Sequence, residues 1–404
     1  MQKVKSNFVN PAGLAVLAAA ALLSAYFGID LLFALLTGAF MLCLISWLWT
    51  EASLKKLTIG TGRQEICGFP GDELEVNVKL KNDKMIPVVW LRADLAAGEG
   101  SCVATSADEP AAFSWVMPRQ SLEWTESLSA VRRGVRTFGS LEASSGDGFG
   151  LSERSQQLQL EPPFRAVVFP KLLNVNVSPV LSKLSELELS KKGLYTDPGL
   201  IQNVRAYNGS DSLKDVNWRL LAKSGELYVN VKEKMDARRM CLVPDLESFS
   251  VTDISESPSG PVETYRIDEE GLEHMISLTA SIAAELSLRG VICSLALPGY
   301  SVKDKDSGDA LLREPRTIRP VPEEDQTAVL LTALSEIDYI GGPTELPLEA
   351  VSSEYHMLGQ LFCLAGKKSR RTEALGLAQP MPVRYILPED DGSGRIIEET
   401  ELLR

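Results

Sequence analysis

Residues 11–50 read "PAGLAVLAAAALLSAYFGIDLLFALLTGAFMLCLISWLWT", and the single charge among them is Asp30. Pro11 to Gly28 and Leu31 to Thr50 are two apolar runs separated only by Ile29 and Asp30. At the α-helical rise each run gives a rod of about 27 to 30 Å, the thickness of a bilayer's hydrocarbon core. An Asp at mid-bilayer costs about 2.5 to 3.5 kcal/mol, so Asp30 belongs with Gly28 in a tight outer turn. The two runs therefore predict a transmembrane helical hairpin over residues 1–56.

Lys3 and Lys5 precede the first run, as they would in a cleaved signal peptide. A signal peptide is followed by polar mature sequence, however, and here a second span follows at once. Lys55 and Lys56 flank the exit. By the positive-inside rule both ends, and everything after residue 57, lie in the cytoplasm of a multi-pass cell-membrane protein.

With 404 residues the chain exceeds what one core supports, so two or three folded units are expected. The formal net charge of -13 argues against nucleic acid as a partner, because phosphates demand basic patches. It also repels anionic headgroups, which leaves the hairpin as the attachment to the lipid bilayer. Cys43, Cys67, Cys102, Cys241, Cys293 and Cys363 form no CxxC pair. In a reducing compartment they are expected to be small buried hydrophobes.

From Glu73 the pattern alternates: "ELEVNVKLKND" puts Leu74, Val76, Val78 and Leu80 on one face. Period two with a polar opposite face is a half-buried antiparallel strand. "PVVWLRADL", "SLEWTESLSAV", "VRTFGSLEA" and "FRAVVFP" repeat it between turn-rich clusters such as "SSGDGFG", predicting a β-sandwich over residues 57–172. The glycines of that cluster lack a following helix and a GK[ST], and "LAGKKS" at 364–369 lacks the leading glycine, so neither is a phosphate loop.

The C-terminal third alternates strands ("RRMCLVPD", "VICSLALPG", "QLFCLAG", "VRYILPE") with helices (269–290, "DQTAVLLTALSEI", "RTEALGLA"). That alternation predicts a doubly wound parallel α/β domain over residues 236–386. Residues 253–268 and 304–326 read as loops or a hairpin, and residues 387–404 as an acidic mobile tail.

Residues 173–235 connect the two, and "RAYNGSDSLKDVNWRLLAKSGELYVN" (205–230) lies inside them. Ser212 is placed to cap a helix carrying Leu213, Val216, Leu220 and Leu221 on one face, stopped by Gly225 before the strand "ELYVNV". Arg205 can fork onto Asp211 or Asp215, and Trp218 lies off the leucine stripe, free to pack against another domain. Arg205, Tyr207, Asp211, Asn217 and Trp218 thus form an interdomain clamp or a partner-binding signature. His274 and His356 are the only histidines and no nucleophile stands beside a base, so the chain is expected not to be an enzyme. A hydrolase using Asp211 and Asp215 is the weakest alternative.

These features resemble the membrane-anchored bacterial family called domain of unknown function fifty-eight. Its signature runs approximately R-x-Y-x-x-G-D-x-x-[RK]-x-[IV]-[ND]-W, then an alanine and G-x-L-x-V. Arg205, Tyr207, Lys214, Val216, Asn217, Trp218, Ala222, Gly225, Leu227 and Val229 fit, and Ser210 separates Gly209 from Asp211. The resemblance implies a von Willebrand factor A-like C-terminal domain, whose best-known forms hold a divalent cation through D-x-S-x-S and a threonine loop. Asp245, Glu247 and Thr344 occupy the matching positions, but Glu247 and Phe249 replace the hydroxyl residues, so no cofactor is expected. The family often stands beside MoxR-type AAA ATPases. The resemblance therefore implies a scaffold or adaptor working with such an ATPase or an envelope-assembly partner, and alternatively a cation-dependent ligand-binding domain.

Overall fold

The computed structural model describes residues 3–4, 9–95, 101–105, 110–178, 180–182, 196–209, 211–234, 239–257, 260–303, 310–319, 325–345, 361–364, 384–388 and 394–398. Two units emerge: Met1–Lys171 with Leu334–Ile337, and Leu172–Ala333 with Asp338–Arg404.

In the first unit, helices α1 (Pro11–Tyr26) and α2 (Asp30–Ser53) form the expected pair. The Asn10 side chain caps α1 at 2.6 Å from the Gly13 amide, and Pro11 takes the first helical position, where a missing N–H costs nothing. Gly28 turns the chain at φ +66°. Asp30 opens α2, where the helix N-terminus favours its charge. α2 is apolar and long enough to cross a membrane, while α1 is a shorter apolar helix.

Ten strands follow this pattern: β1 (Lys3–Val4), β2 (Leu57–Thr61), β3 (Glu65–Gly68), β4 (Glu73–Asn82) and β5 (Val88–Asp94), then β6 (Val103–Thr105), β7 (Ala111–Val116), β8 (Ser121–Ala130), β9 (Gly134–Gly146) and β10 (Glu153–Val168). The sandwich expected here takes the form of one large, curled, mixed sheet ordered β6-β8-β4-β2-β10-β9-β5-β7, with β1 and β3 also on β10. β10 is the hinge of the curl: antiparallel to β9 and β1, parallel to β2 at Leu160 and Ile59, and parallel to β3 from Arg165 to Val168. Along β4 every second residue is buried, as its alternation predicts. Those side chains share one core with Leu91, Leu128, Leu141 and the stacked rings of Phe138 and Phe164, whose centroids lie 4.8 Å apart.

The last turns of α2 are seated on this sheet by polar contacts. Ser46 donates to Asp147 Oδ2 at 2.5 Å and meets Ser152 at 3.0 Å, Thr50 meets Ser152, and Arg154 pairs with Glu51. Asp147 also accepts from the Leu151 and Ser152 amides, fixing the β9–β10 turn. At the helix end buried Lys84 donates to the Ala52 carbonyl at 3.0 Å and to that of Ser53, adding a side-chain donor where the helix runs out of amides.

The second unit opens with β11 (Thr196–Ala206) and β12 (Tyr228–Lys234), paired antiparallel around α3 (Trp218–Ser224). Then come β13 (Arg239–Pro244), β14 (Ser250–Ser257), β15 (Gly260–Ile267), α4 (Glu269–Leu288) and β16 (Ile292–Leu297). β17 (Tyr300–Lys303), β18 (Ala310–Arg313), β19 (Arg316–Ile318), α5 (Gln326–Ser335), β20 (Leu361–Leu364), β21 (Arg384–Pro388) and β22 (Gly394–Glu398) complete it. This is the smaller α/β region. Its six-stranded sheet is ordered β19-β16-β13-β20-β21-β22, parallel in the middle with an antiparallel strand at each edge. Numbered along the chain, that order is 3-2-1-4-5-6, which reverses direction beside its first strand.

Of the loops or hairpin expected over residues 253–268 and 304–326, the first falls in the β14–β15 hairpin, and part of the second forms β18 and β19. Two expectations need correction. Within the acidic tail, residues 394–398 pair with β21 as an edge strand. Cys67 is exposed, not buried, whereas Cys102, Cys241 and Cys293 are buried. The helix expected from "RTEALGLA" lies outside the described residues.

Replacing Phe164 by Ala removes a fully buried ring from the curl's core and should cost about 3 to 5 kcal/mol in denaturant unfolding. Lys84 gives a pH signature. Burial lowers its ammonium pKa from 10.5 to about 8, so between those values the unfolded chain holds more protons and this group's contribution rises with pH. The Tm of the parent relative to Lys84→Met should therefore shift in the parent's favour across that window, measured on detergent-solubilised protein.

Candidate functional site: the strand-end crevice of the α/β unit

In an open parallel sheet the crevice forms where successive strands leave in opposite directions, at their C-terminal ends. Here that point lies beside β13, and the chain leaving it runs Asp245, Leu246, then a single 3-10 turn, Glu247–Phe249. Asp245 and Phe249 are buried. Ser248 donates to the Asp245 carbonyl at 3.0 Å, and Ser250 accepts from the Gly342 amide at 3.0 Å.

Opposite stands the loop "YIGGPTE" (339–345). Gly341 and Gly342 hold φ near +100° and +95°, and a Cβ on Gly341 would come within 2.9 Å of Tyr265 Cβ, so glycine is required there. The Tyr339 hydroxyl donates to the Gly342 carbonyl, and Glu345 pairs through both backbone groups with Gly299, just past β16. Thr344, buried, then donates both its amide and its hydroxyl to Glu247 Oε2, each at 3.2 Å. The structure thus joins Glu247 to Thr344, two residues beyond Asp245 at the end of β13.

Whether this place suits a hard cation is decided by its donors. A calcium or magnesium ion asks for about six converging oxygens. Glu247 and Thr344 are already committed to each other, the Ser248 hydroxyl to a backbone carbonyl, and Phe249 offers no oxygen. Among the described residues no group of three or more His, Cys, Asp and Glu is placed to hold a metal. The residues present do not fit an ion.

The signature residues form a separate polar turn. Arg205 forks onto Asp211 through both terminal nitrogens, at 2.7 and 2.6 Å, and the Asn208 amide donates to the same carboxylate at 2.7 Å. These bonds hold the Asp211 carboxyl below its usual range, the Arg205 fork contributing most. Asn217 caps α3 by accepting from the Leu220 amide at 3.0 Å and donates to Asn230 at 2.8 Å. Gly225 ends α3 in the left-handed conformation.

The helix begins at Trp218, six residues after Ser212, which instead caps the 3-10 turn Leu213–Asp215. Val216 is drawn out of the expected helix by a bridge to Val229. Tyr207 is half-buried and its amide bonds the Leu227 carbonyl. Trp218 keeps 61 % of its surface exposed. Sequence reasoning missed Ser250, Tyr339 and Gly299 as supports of the crevice; only the glycine pair 341–342 hinted at a constrained loop.

No family model matches this chain. Over 260 residues it is 23 % identical to the uncharacterised protein YeaD of Bacillus subtilis (strain 168), a match covering 63 % of this chain and 56 % of that relative. The chain therefore spans little more than half the length of the curated relative it matches. Among solved structures, a family 20 exo-β-N-acetylglucosaminidase from Vibrio harveyi aligns with 77 % of this chain and 57 % of its own at 7 % identity, with a TM-score of 0.18. A likeness that weak carries no argument.

Thr344→Val removes the hydroxyl donor to Glu247 and keeps the amide one, and loss of a hydrogen bond to a charged acceptor should cost about 1.5 to 3 kcal/mol in urea unfolding. Asp211→Asn should shift Tm little, since the Arg205 side of the pair is about half exposed to water. Its effect is local. In the parent, exchange protection of the Asn208 amide is present above the ordinary aspartate pKa and is lost as pH falls through the depressed folded value; in the variant it is low throughout.

Proposed function

We propose that the protein is a non-enzymatic, membrane-anchored adaptor whose folded units stand on the cytoplasmic side. The observation that carries this reading is the tethering of both ends of the helix pair to one region of the sheet. Lys3 and Val4 pair with Ser155 and Arg154 on β10, and the far end of α2 is bound by Asp147, Ser152 and Arg154. A helix pair whose ends meet on one side crosses a bilayer twice or not at all. Lys3, Lys55 and Lys56 then select the cytoplasmic side. The exposed apolar surface of α1 and α2, from Leu22 and Leu23 to Leu31, Met41 and Ile45, supports lipid as the surrounding medium.

In this reading the curled sheet is a β-sandwich-like spacer and the 3-2-1-4-5-6 sheet an A-like domain. The direct Glu247 to Thr344 bond does there what a cation does in metal-holding A domains, closing the loop onto the strand end. The strand-end face then offers a preformed contact surface for a MoxR-type AAA ATPase or an envelope-assembly partner. Reporter fusions at both termini test the topology: activity of a cytoplasmic reporter at each end is expected, and an externally reachable carboxyl end overturns the anchor. Affinity capture from solubilised membranes tests the adaptor, with an ATPase enriched over a hairpin-only control as the expected result.

A second reading, a cation-dependent ligand-binding domain, draws on Asp245 at the end of β13 and on the Glu247 to Thr344 bond two residues further on. Calorimetric titration with magnesium, calcium and manganese should give no heat at millimolar metal; saturable heat lost in Thr344→Val would favour this reading over the first.

A further inference from the structure

The strand registers gather three turns at one end of the curled sheet, beside the exit of α2. Lys81 pairs with Ser121, Val88 with Val116, and Leu91 with Ser145, so the 83–87, 117–120 and 147–152 turns share that end. Buried Asn82 ties two of them together, its amide donating to the carbonyls of Ile86, Val116 and Met117. Lys84 ties the first to the end of α2, and Asp147 and Ser152 tie the third to Ser46 and Thr50.

These turns expose large apolar side chains that a soluble rim would not carry: Met85 at 74 %, Phe149 at 70 %, Trp115 at 58 % and Met117 at 52 %. The exposed charges beside them are chiefly basic, namely Lys55, Lys56, Lys81 and Arg119, while the acids near them are paired, Asp83 with Lys81 and Glu51 with Lys55 and Arg154. This local balance opposes the net charge of -13 carried by the whole chain.

Helix length fixes where this rim lies. From Asp30 to Ile45, before the seat begins, α2 rises about 24 Å, and α1 rises the same. A hydrocarbon core of about 30 Å asks for about 20 residues, which carries its inner boundary past Ser46 to the level of Trp49. The β9–β10 turn, hydrogen-bonded at Ser46, is then at or inside that boundary. The Lys84 turn, about 10 Å further along the helix, falls within the headgroup layer.

Resting on the anchor reading above, we infer that this rim is a membrane-seated face: Phe149, Met85, Trp115 and Met117 insert into the interfacial layer of the bilayer the helices cross, and Lys55, Lys56, Lys81 and Arg119 meet its phosphates. The helices hold the protein to the membrane, and the rim fixes the sheet's angle to it. Apolar insertion beside basic side chains is the chemistry by which interfacial elements bind lipid, and Trp at this depth is the residue the interface favours.

The test uses the full chain in liposomes containing anionic lipid, with exposed Cys67 changed to Ser. Phe149→Cys, Met85→Cys and Met117→Cys each carry an environment-sensitive fluorophore. Val131→Cys, an exposed site at the opposite end of β8, is the solvent control, and Leu42→Cys on α2 is the bilayer control. Label on the unsubstituted background is subtracted, and each rim site is read separately, so one variant that fails to insert leaves two to decide. Quenching by headgroup-proximal spin-labelled lipid at least about twofold stronger at the rim than at Val131, with reduced access to iodide, is expected. If Leu42 is quenched while the rim matches Val131, the inference is overturned and the anchor stands. If Leu42 is not quenched, both fall. Shielding of the rim that fades as protein is diluted in lipid identifies a second copy of the chain as the cover and overturns the inference.

Discussion

Two hydroxyls decide how the apolar helix pair and the β unit become one object. Ser46 and Thr50 lie one turn apart in the apolar run of α2, and in hydrocarbon neither would find a partner beyond its own backbone. The β9–β10 turn supplies one: Asp147 and Ser152 accept and share their protons, and the same turn is fixed by amides donating to Asp147. The contact satisfies polar groups that each side would otherwise bury at a cost, so it specifies one angular position of α2 on the sheet. A face of leucines would permit several.

The rest of the first unit grows from that seat. α2 ends on Lys84 and runs within a few residues into β2, which places β2 between β4 and β10 and lets the sheet curl back along β10. The curl encloses the alternating side chains of β4 together with Phe138 and Phe164. In the α/β unit the corresponding closure is local: a glycine pair, a tyrosine hydroxyl and a threonine to glutamate bond fold residues 339–345 onto the end of β13.

What could be read from residues alone follows the range of the forces involved. The alternation of β4, the stop at Gly290 after α4 and the Arg205 to Asp211 fork are set within a few residues, and all were legible. The curl depends on parallel pairing of β10 with β2 and β3 across a hundred residues, which no local pattern records. β11 was missed because "TDPGLIQNVRA" carries Pro and Gly, which disfavour a regular ladder, and its pairing with β12 is indeed irregular around them. The start of α3 was misplaced because a tertiary bridge from Val216 to Val229 outweighs helical spacing. Asp245, Glu247 and Thr344 were singled out by resemblance, while the bond between Glu247 and Thr344 spans 97 residues, which no local pattern records. Ser46, Thr50 and Ser53, spaced four and three apart in an apolar run, were the unread signal of the helix seat.

The two residues of β1 complete an edge of β10 at Arg154 and Ser155, so that edge stays open until both of those positions have left the ribosome. By then both helices have long since emerged. Lys3 and Val4 can therefore pair only after the helices are made, as a latch closed late, and a bulky fusion placed directly ahead of them would compete for the latch without touching the helices themselves.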